Sequence, residues 1–127
     1  MEQSIIINFL KSFFTLFKAK IEEYKIVNKK IFGTVGWLNE EDRQDFVFKI
    51  DFDTLILSRV KSLCDFLYEM NLVNGDKIIV SENNLLEMLK KEGWSRIDAK
   101  EAVDGLCSLE VKMVDEGEET DSFFVHF

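Results

Sequence analysis

The stretch "SENNLLEMLKKEGWSRIDAKEAVDGLCSLEVKMV", residues 81–114, predicts two short helices followed by a strand. Ser81 and Ser95 each precede an apolar periodic segment, where a serine hydroxyl can accept a hydrogen bond from the first helical turn. Asp98 follows Ser95 by three residues, a spacing close to that of a capping box. Gly93 separates the helices because glycine readily ends a helix. We therefore expect the second helix to run from Ser95 to near Leu109.

The residues after Leu109 predict a two-stranded hairpin with an acidic turn. Its strands would be "EVKMV" (110–114) and "SFFVHF" (122–127). The turn carries five acids and no base: Asp115, Glu116, Glu118, Glu119 and Asp121. The spacing in "DEGEETD" does not match an EF-hand loop, so we interpret the acids as a solvated turn that discourages edge-to-edge association.

The segment before residue 81 predicts a central helix and a tight turn. Asp53 or Thr54 can cap a helix that runs to about Leu72, and its apolar residues cover roughly 220° of the helical wheel. An arc of that width indicates packing on two sides. Asn74-Gly75 is a strong turn signal, and "KIIV" (77–80) follows it as a short strand.

From Thr54 onward the expected order is helix, short strand, helix, tight turn, helix and two-stranded wing. This order resembles the winged helix-turn-helix fold at the level of topology, over residues 54–127. In that family the third helix usually enters the DNA major groove and the wing touches the backbone. The resemblance implies that the corresponding outward face is formed by Arg96, Ile97, Lys100, Glu101, Asp104 and Ser108.

The charge of this half of the chain argues against the DNA-binding activity of that family. Residues 53–127 contain sixteen acids and eight bases and so carry the whole net charge of −8. Affinity for DNA depends largely on lysine and arginine neutralising phosphates. We therefore expect a protein partner with a basic surface, engaged through the acidic wing, as an inhibitor or immunity-type protein would do, and not nucleic acid.

The N-terminal segment predicts one long helix. Ser4 can cap it, Gly33 can end it, and apolar residues recur every three or four positions over about seven turns. They are Ile6, Leu10, Phe13, Phe17, Ile21, Tyr24, Val27 and Ile31. The first half has an apolar arc of roughly 200°, wider than one packed face requires.

That broad apolar side requires a cover, and three are possible: a hairpin at residues 34–52, a second copy of the helix, or a membrane surface. We favour self-association and expect a homodimer, with intramolecular burial as the main alternative. The proposed self-association residues are Ile6, Phe9, Leu10, Phe13, Phe14 and Phe17.

Residues 34–52 predict the hairpin itself. Phe46, Phe48, Ile50 and Phe52 alternate with other residues in the period of a half-buried strand, and "TVGWL" (34–38) is a plausible partner. "NEEDRQD" (39–45) would be the polar turn between them. The fold class is therefore α+β: a winged-helix-like C-terminal part with an added N-terminal long helix and β-hairpin. We expect a single domain over 1–127, in which residues 1–53 extend the part at 54–127.

The sequence offers little for catalysis. His126 is the only histidine, so a His-rich metal site has no basis, and a nucleophile triad has none either because no serine or cysteine lies in an elbow motif. Cys64 and Cys107 lie in apolar helical contexts typical of buried free thiols. Phosphate-binding glycine loops and metalloprotease motifs are missing from the sequence. We expect no enzymatic activity, no cofactor and no metal, although an enzyme without short motifs would need a concave pocket with perturbed acids.

The N-terminus has the pattern of neither a signal peptide nor a membrane span, so we expect a cytoplasmic protein. The main functional hypothesis is a non-enzymatic acidic interaction module. The alternative is a winged-helix DNA-binding regulator that dimerises through its N-terminal helix. Its phosphate contacts would then come from Lys11, Lys18, Lys25, Lys29 and Lys30.

Overall fold

The computed structural model describes residues 2–28, 30–37, 46–51, 54–115 and 118–127. These residues form four helices and seven strands, which confirms the α+β class. The elements are α1 (Glu2–Thr15), β1 (Ala19–Val27), β2 (Lys30–Trp37), β3 (Phe46–Asp51), α2 (Thr54–Glu69), β4 (Val73–Asn74), β5 (Lys77–Ile78), α3 (Glu82–Lys91), α4 (Arg96–Ser108), β6 (Glu110–Asp115) and β7 (Glu118–Phe124).

A five-stranded antiparallel sheet joins the two ends of the chain. Its order is β1-β2-β3-β6-β7, so the N-terminal strands and the C-terminal hairpin share one sheet. The short pair β4-β5 forms a separate ladder. The last residues reach this pair, because the amide of Ile78 donates a hydrogen bond to the carbonyl of His126 over 2.7 Å.

The prediction of one long N-terminal helix is wrong beyond Thr15. Lys18 adopts a left-handed backbone with φ 57°, and the chain then enters β1. A bulge between Ile21 and Glu23 adds one residue to this strand, so its partly buried residues, Ile21, Tyr24 and Ile26, follow spacings of three and two. The spacing of three imitates a helical period.

The hairpin predicted at residues 34–52 is confirmed in outline by the pairing of β2 with β3. β2 pairs with β3, and Ile31 lies opposite Ile50 at the buried centre of the sheet. Gly33, which the sequence suggested as a helix end, is instead a residue of β2 opposite Phe48. The expected polar turn at residues 39–45 and the end of the strand at Phe52 lie outside the described residues.

The expected boundaries of α3 and α4 are confirmed, whereas α2 ends at Glu69 and not near Leu72. The short strand covers only Lys77–Ile78 of the expected 77–80, and the last strand ends at Phe124 and not at Phe127. The Ser81 hydroxyl accepts a hydrogen bond from the amide of Asn84 over 3.2 Å, and the Ser95 hydroxyl accepts one from Asp98 over 3.1 Å. Gly75 and Gly93 have φ of 64° and 95°, a backbone conformation that favours glycine. The hairpin also forms, but its strands extend into the acidic segment that was expected to be a turn.

The apolar side of α1 is covered by this chain. Ile6, Phe9, Leu10, Phe13 and Phe14 are at most 2% exposed, and they share one core cluster with α2 and the sheet. Phe17 is partly buried against the same cluster. The predicted self-association face is therefore not available on the surface, because intramolecular packing occupies it.

Helices α2 and α4 cross closely at Gly105. A Cβ atom at this position would lie 2.8 Å from Cγ2 of Ile56 and 3.1 Å from Cγ2 of Val60. Both of these methyl groups belong to β-branched side chains, which have little rotamer freedom in a helix. The glycine therefore sets the distance between the two helices.

We expect Gly105→Ala to destabilise the protein by roughly 1 kcal/mol, because overpacking costs about 1–3 kcal/mol and the gain in helix propensity is about 1 kcal/mol. Urea denaturation measures the change. In an Ile56→Ala background the nearest methyl group is removed, and Gly105→Ala should become neutral or stabilising. A stabilised single variant would show that the helices do not approach this closely.

Candidate interaction surfaces

The outward face of α4 has an exposed apolar residue among charges. Ile97 is 70% exposed, the largest value among the exposed large hydrophobic residues of the described chain. The other residues that the sequence assigned to this face are also exposed: Arg96, Lys100, Glu101, Asp104 and Ser108. Their role in binding stays a prediction.

Ion pairs join this face to the neighbouring helices. Arg59 on α2 contacts Glu101, and its Nη2 lies 3.5 Å from Oδ1 of Asp98. Lys100 donates to Oε1 of Glu82 on α3 over 2.6 Å, and its Nζ lies 3.2 Å from Oδ1 of Asp104.

The hydrogen bond to Glu82, followed by that to Asp104, raises the pKa of the Lys100 ammonium. Exposed pairs of this kind stabilise a fold little. These ion pairs nevertheless place carboxylates beside both Lys100 and Arg59. A phosphate would have to compete with those carboxylates for either cation.

The acidic hairpin lies at the end of the five-stranded sheet. Asp115 pairs with Glu118, Val114 with Glu119, and Met113 with Asp121. Of these three pairs, only Asp115–Glu118 places two acids at opposing register positions, where like charges disfavour strand pairing. Glu116, the remaining acid of the predicted wing, lies outside the described residues.

The lysines of the DNA-binding alternative do not form one helical stripe. Lys11 lies on α1, Lys18 in the turn after it, Lys25 on β1 and Lys30 on β2, and all four are exposed. Lys29 lies outside the described residues. These lysines cannot share one side of a helix, because the helix ends at Thr15 and the chain continues as a β-hairpin.

The sheet register instead places Phe32 of β2 between two lysines, Lys25 of β1 and Lys49 of β3. Lys25 pairs with Phe32, Phe32 with Lys49, and Lys49 with Lys112, so these residues form one row across four strands. Sequence reasoning missed the row because it treated residues 19–31 as helix. The alternation in "KIFGTV" was the available signal for β2.

Two grooves lie on the described surface. The larger, about 570 Å³, is lined by Leu16, Phe17, Lys18, Asn71, Val73, Asn74, Gly75, Asp76 and Ile79. The smaller, about 310 Å³, is lined by Glu23, Tyr24, Lys25, Phe32, Gly33 and Thr34. Among the described residues, each lining contains one carboxylate and neither histidine nor cysteine, so these residues assemble neither a pair of acids nor an activated nucleophile.

The two thiols and the histidine are not themselves lining residues, although His126 lies beside Asp76 of the larger groove. Cys64 is buried and Cys107 is partly buried, and both are free. Burial raises the pKa of both thiols, which makes them poor nucleophiles. His126 is exposed, with Nδ1 4.0 Å from Oδ2 of Asp76. Over the described ranges, His, Cys, Asp and Glu side chains form no group of three able to hold a metal ion.

Comparison of the chain with models of protein families, with curated proteins and with solved structures found no significant match. In the part of the chain that the structure describes, each helix is too short or too polar to cross a membrane.

Proposed function

We propose that this chain is a non-enzymatic interaction module that binds a basic protein surface, with a winged-helix-like arrangement of residues 54–127. The observation that carries the proposal is the ion-pair network on α4. It neutralises Lys100 and Arg59 internally, and the face presents Ile97 beside carboxylates. In a DNA-binding protein of that fold, this helix face would be expected to enter the major groove, where an excess of carboxylates is repelled by the flanking phosphates.

The arrangement has the two components of a protein-binding site. Apolar anchors near the centre of an interface contribute much of the binding energy, while surrounding charges govern specificity and the rate of association. Ile97 is suited to be the anchor. The ion-pair network around it contains four carboxylates (Glu82, Asp98, Glu101 and Asp104) for the two cations Arg59 and Lys100, so its net negative charge can attract a basic surface. A protein that covers the nucleic-acid site of a basic partner, as an inhibitor or immunity-type protein does, would need this combination.

A photo-reactive amino acid at position 97 tests the proposal, with the same group at Tyr68 as control. Both positions are well exposed, at 70% and 60%, on different helices. We expect position 97 alone to cross-link a protein whose cross-linked region is rich in lysine and arginine. A partner captured equally from both positions, or one with an acidic contact region, would contradict the proposal.

The affinity for that purified partner gives a second readout. We expect Asp104→Lys to weaken binding by more than tenfold, because it places a cation on the contact surface. Glu87→Lys on α3 makes the same charge change at another exposed acid and should alter the affinity less than twofold. Binding should weaken as salt rises, and strengthening in salt would overturn a charge-led mechanism.

The row formed by Lys25, Phe32, Lys49 and Lys112 favours a second candidate, nucleic-acid binding through the sheet. Bases stack on aromatic side chains and phosphates bind lysines. Binding of a labelled oligonucleotide at about 50 mM salt, lost in Lys25→Glu, would favour this candidate.

The homodimer also remains a proposal, with an interface other than the buried side of α1.

A further inference from the structure

The larger groove lies where α1 and α2 both end. Leu16, Phe17 and Lys18 follow the last residue of α1, and Asn71 follows the end of α2. The two helices are side by side, since the Ser12 hydroxyl donates a hydrogen bond to Oδ1 of Asp65 over 2.7 Å. The β4-β5 turn forms the opposite wall. Its volume of about 570 Å³ falls within the range of sites that bind ligands.

The groove combines an apolar lining with exposed hydrophobic surface. Leu16, Phe17, Val73 and Ile79 contribute the apolar side chains. Ile79 is 54% exposed although it lines a concave surface, and Met70, just before Asn71, is 50% exposed. A partner that covered these side chains would remove apolar surface from water, which is the main favourable term in association.

The ends of α1 and α2 add negative potential to the groove, although the amides of residues 16–18 and 70–72 already donate hydrogen bonds to carbonyls of the two last turns. The carboxyl end of a helix behaves as a partial negative charge of about half an elementary charge, and a cation in the last turn normally compensates it. Neither α1 nor α2 has a basic residue in its last turn, and the last residue of α2 is Glu69. Among the described residues of the lining, Asp76 adds a carboxylate, whose Oδ2 lies 4.0 Å from Nδ1 of His126, and Lys18 is the one cation.

We propose that this groove binds a short segment of another protein in which an apolar side chain neighbours a lysine or arginine. The apolar side chain lies against Phe17 and Ile79, and the cation lies at the helix ends near Asp76. This site is separate from the face of α4, so it does not depend on the function proposed for that face.

Three capped tetrapeptides test the proposal by ¹H–¹⁵N NMR titration of the full chain. Phe-Arg-Leu-Lys carries both features, Phe-Glu-Leu-Glu reverses the charge, and Gly-Arg-Gly-Lys removes the apolar side chains. We expect only the first to shift the amides of residues 16–18, 71–76 and 79 in a saturable manner. Equal or tighter binding of the acidic peptide would overturn the proposal, because it would show that Lys18 dominates the groove.

Ile79→Lys and Ile97→Lys form a matched pair of variants. Both residues are exposed, so both variants should fold, and the NMR spectrum itself verifies this. We expect Ile79→Lys to weaken the affinity for Phe-Arg-Leu-Lys by at least tenfold and Asp76→Asn to weaken it several-fold. Ile97→Lys should leave this affinity unchanged.

Shifts confined to α4, loss of binding in Ile97→Lys, or no shift with any peptide would each overturn the proposal. The proposal for the face of α4 predicts the opposite pattern. Ile97→Lys is expected to abolish binding of the basic protein partner, and Ile79→Lys is expected to preserve it. The failure of one proposal is therefore distinguishable from the failure of the other.

Discussion

Residues 54–127 produced without the first 53 residues are expected to be unfolded. The buried side of α2 contacts α1, and five side chains of α1 are at most 2% exposed in the shared core. Burial of a large apolar side chain contributes about 1.5–3 kcal/mol, so their removal costs roughly 7–15 kcal/mol. That is as large as the whole stability of a typical domain, about 5–15 kcal/mol.

The truncated chain also loses β3, the neighbour of β6 in the sheet. Circular dichroism and amide dispersion in NMR measure the outcome, with the full chain as the control. A cooperatively folded 54–127 fragment would show that these residues are a self-contained unit and that α1 is an appendage. The expected result would instead support the prediction of a single domain over 1–127.

The C-terminal helices could be predicted because their signals are local. Ser81 and Ser95 are caps whose hydrogen bonds involve residues three positions away, and Gly93 ends α3 by its backbone conformation. Such features depend on a few neighbouring residues only. The residues assigned to the outward face of α4 are exposed for the same reason, since a helical period fixes which residues share a side, and their role in binding stays a prediction.

The N-terminal strands could not be predicted in this way because their pairing is long-range. A bulge after Ile21 changed the period of β1, and the only local sign of the turn that follows was Asn28, which has φ of 50°. The sheet then joins β3 to β6, whose paired residues are more than sixty positions apart in the chain. Periodicity alone has no information on that partner.

The larger groove was missed for a related reason. Lys18, Asn71 and Gly75 have left-handed backbones, and each lies at the end of a helix or in a turn. Individually they indicate only where an element stops. Their convergence on one groove follows from the packing of α1 against α2, which the sequence had assigned to an interface between two copies.

Phe13→Ala should be the most destabilising single substitution in α1, at about 3–5 kcal/mol. Phe13 is fully buried, and its ring centroid lies 5.4 Å from that of Phe9, 5.2 Å from that of Phe14 and 5.0 Å from that of Phe17. The substitution therefore removes apolar burial, three ring contacts and the packing of their neighbours together. In urea, an m-value of about 1–3 kcal/mol/M converts this loss into a midpoint lower by about 1 M or more.

Lys11→Ala supplies the control, because Lys11 is an exposed residue of the same helix and its removal should change the stability by less than about 0.5 kcal/mol. If Phe13→Ala proves too unstable to study, Phe13→Leu keeps most of the volume and should cost roughly 1.5 kcal/mol or less. An unchanged urea midpoint and a lower solution mass for Phe13→Ala would contradict this expectation and support the predicted interface between two copies of α1. In that case the aromatic cluster would belong to the assembly, because a residue buried inside one chain cannot be removed without cost to that chain.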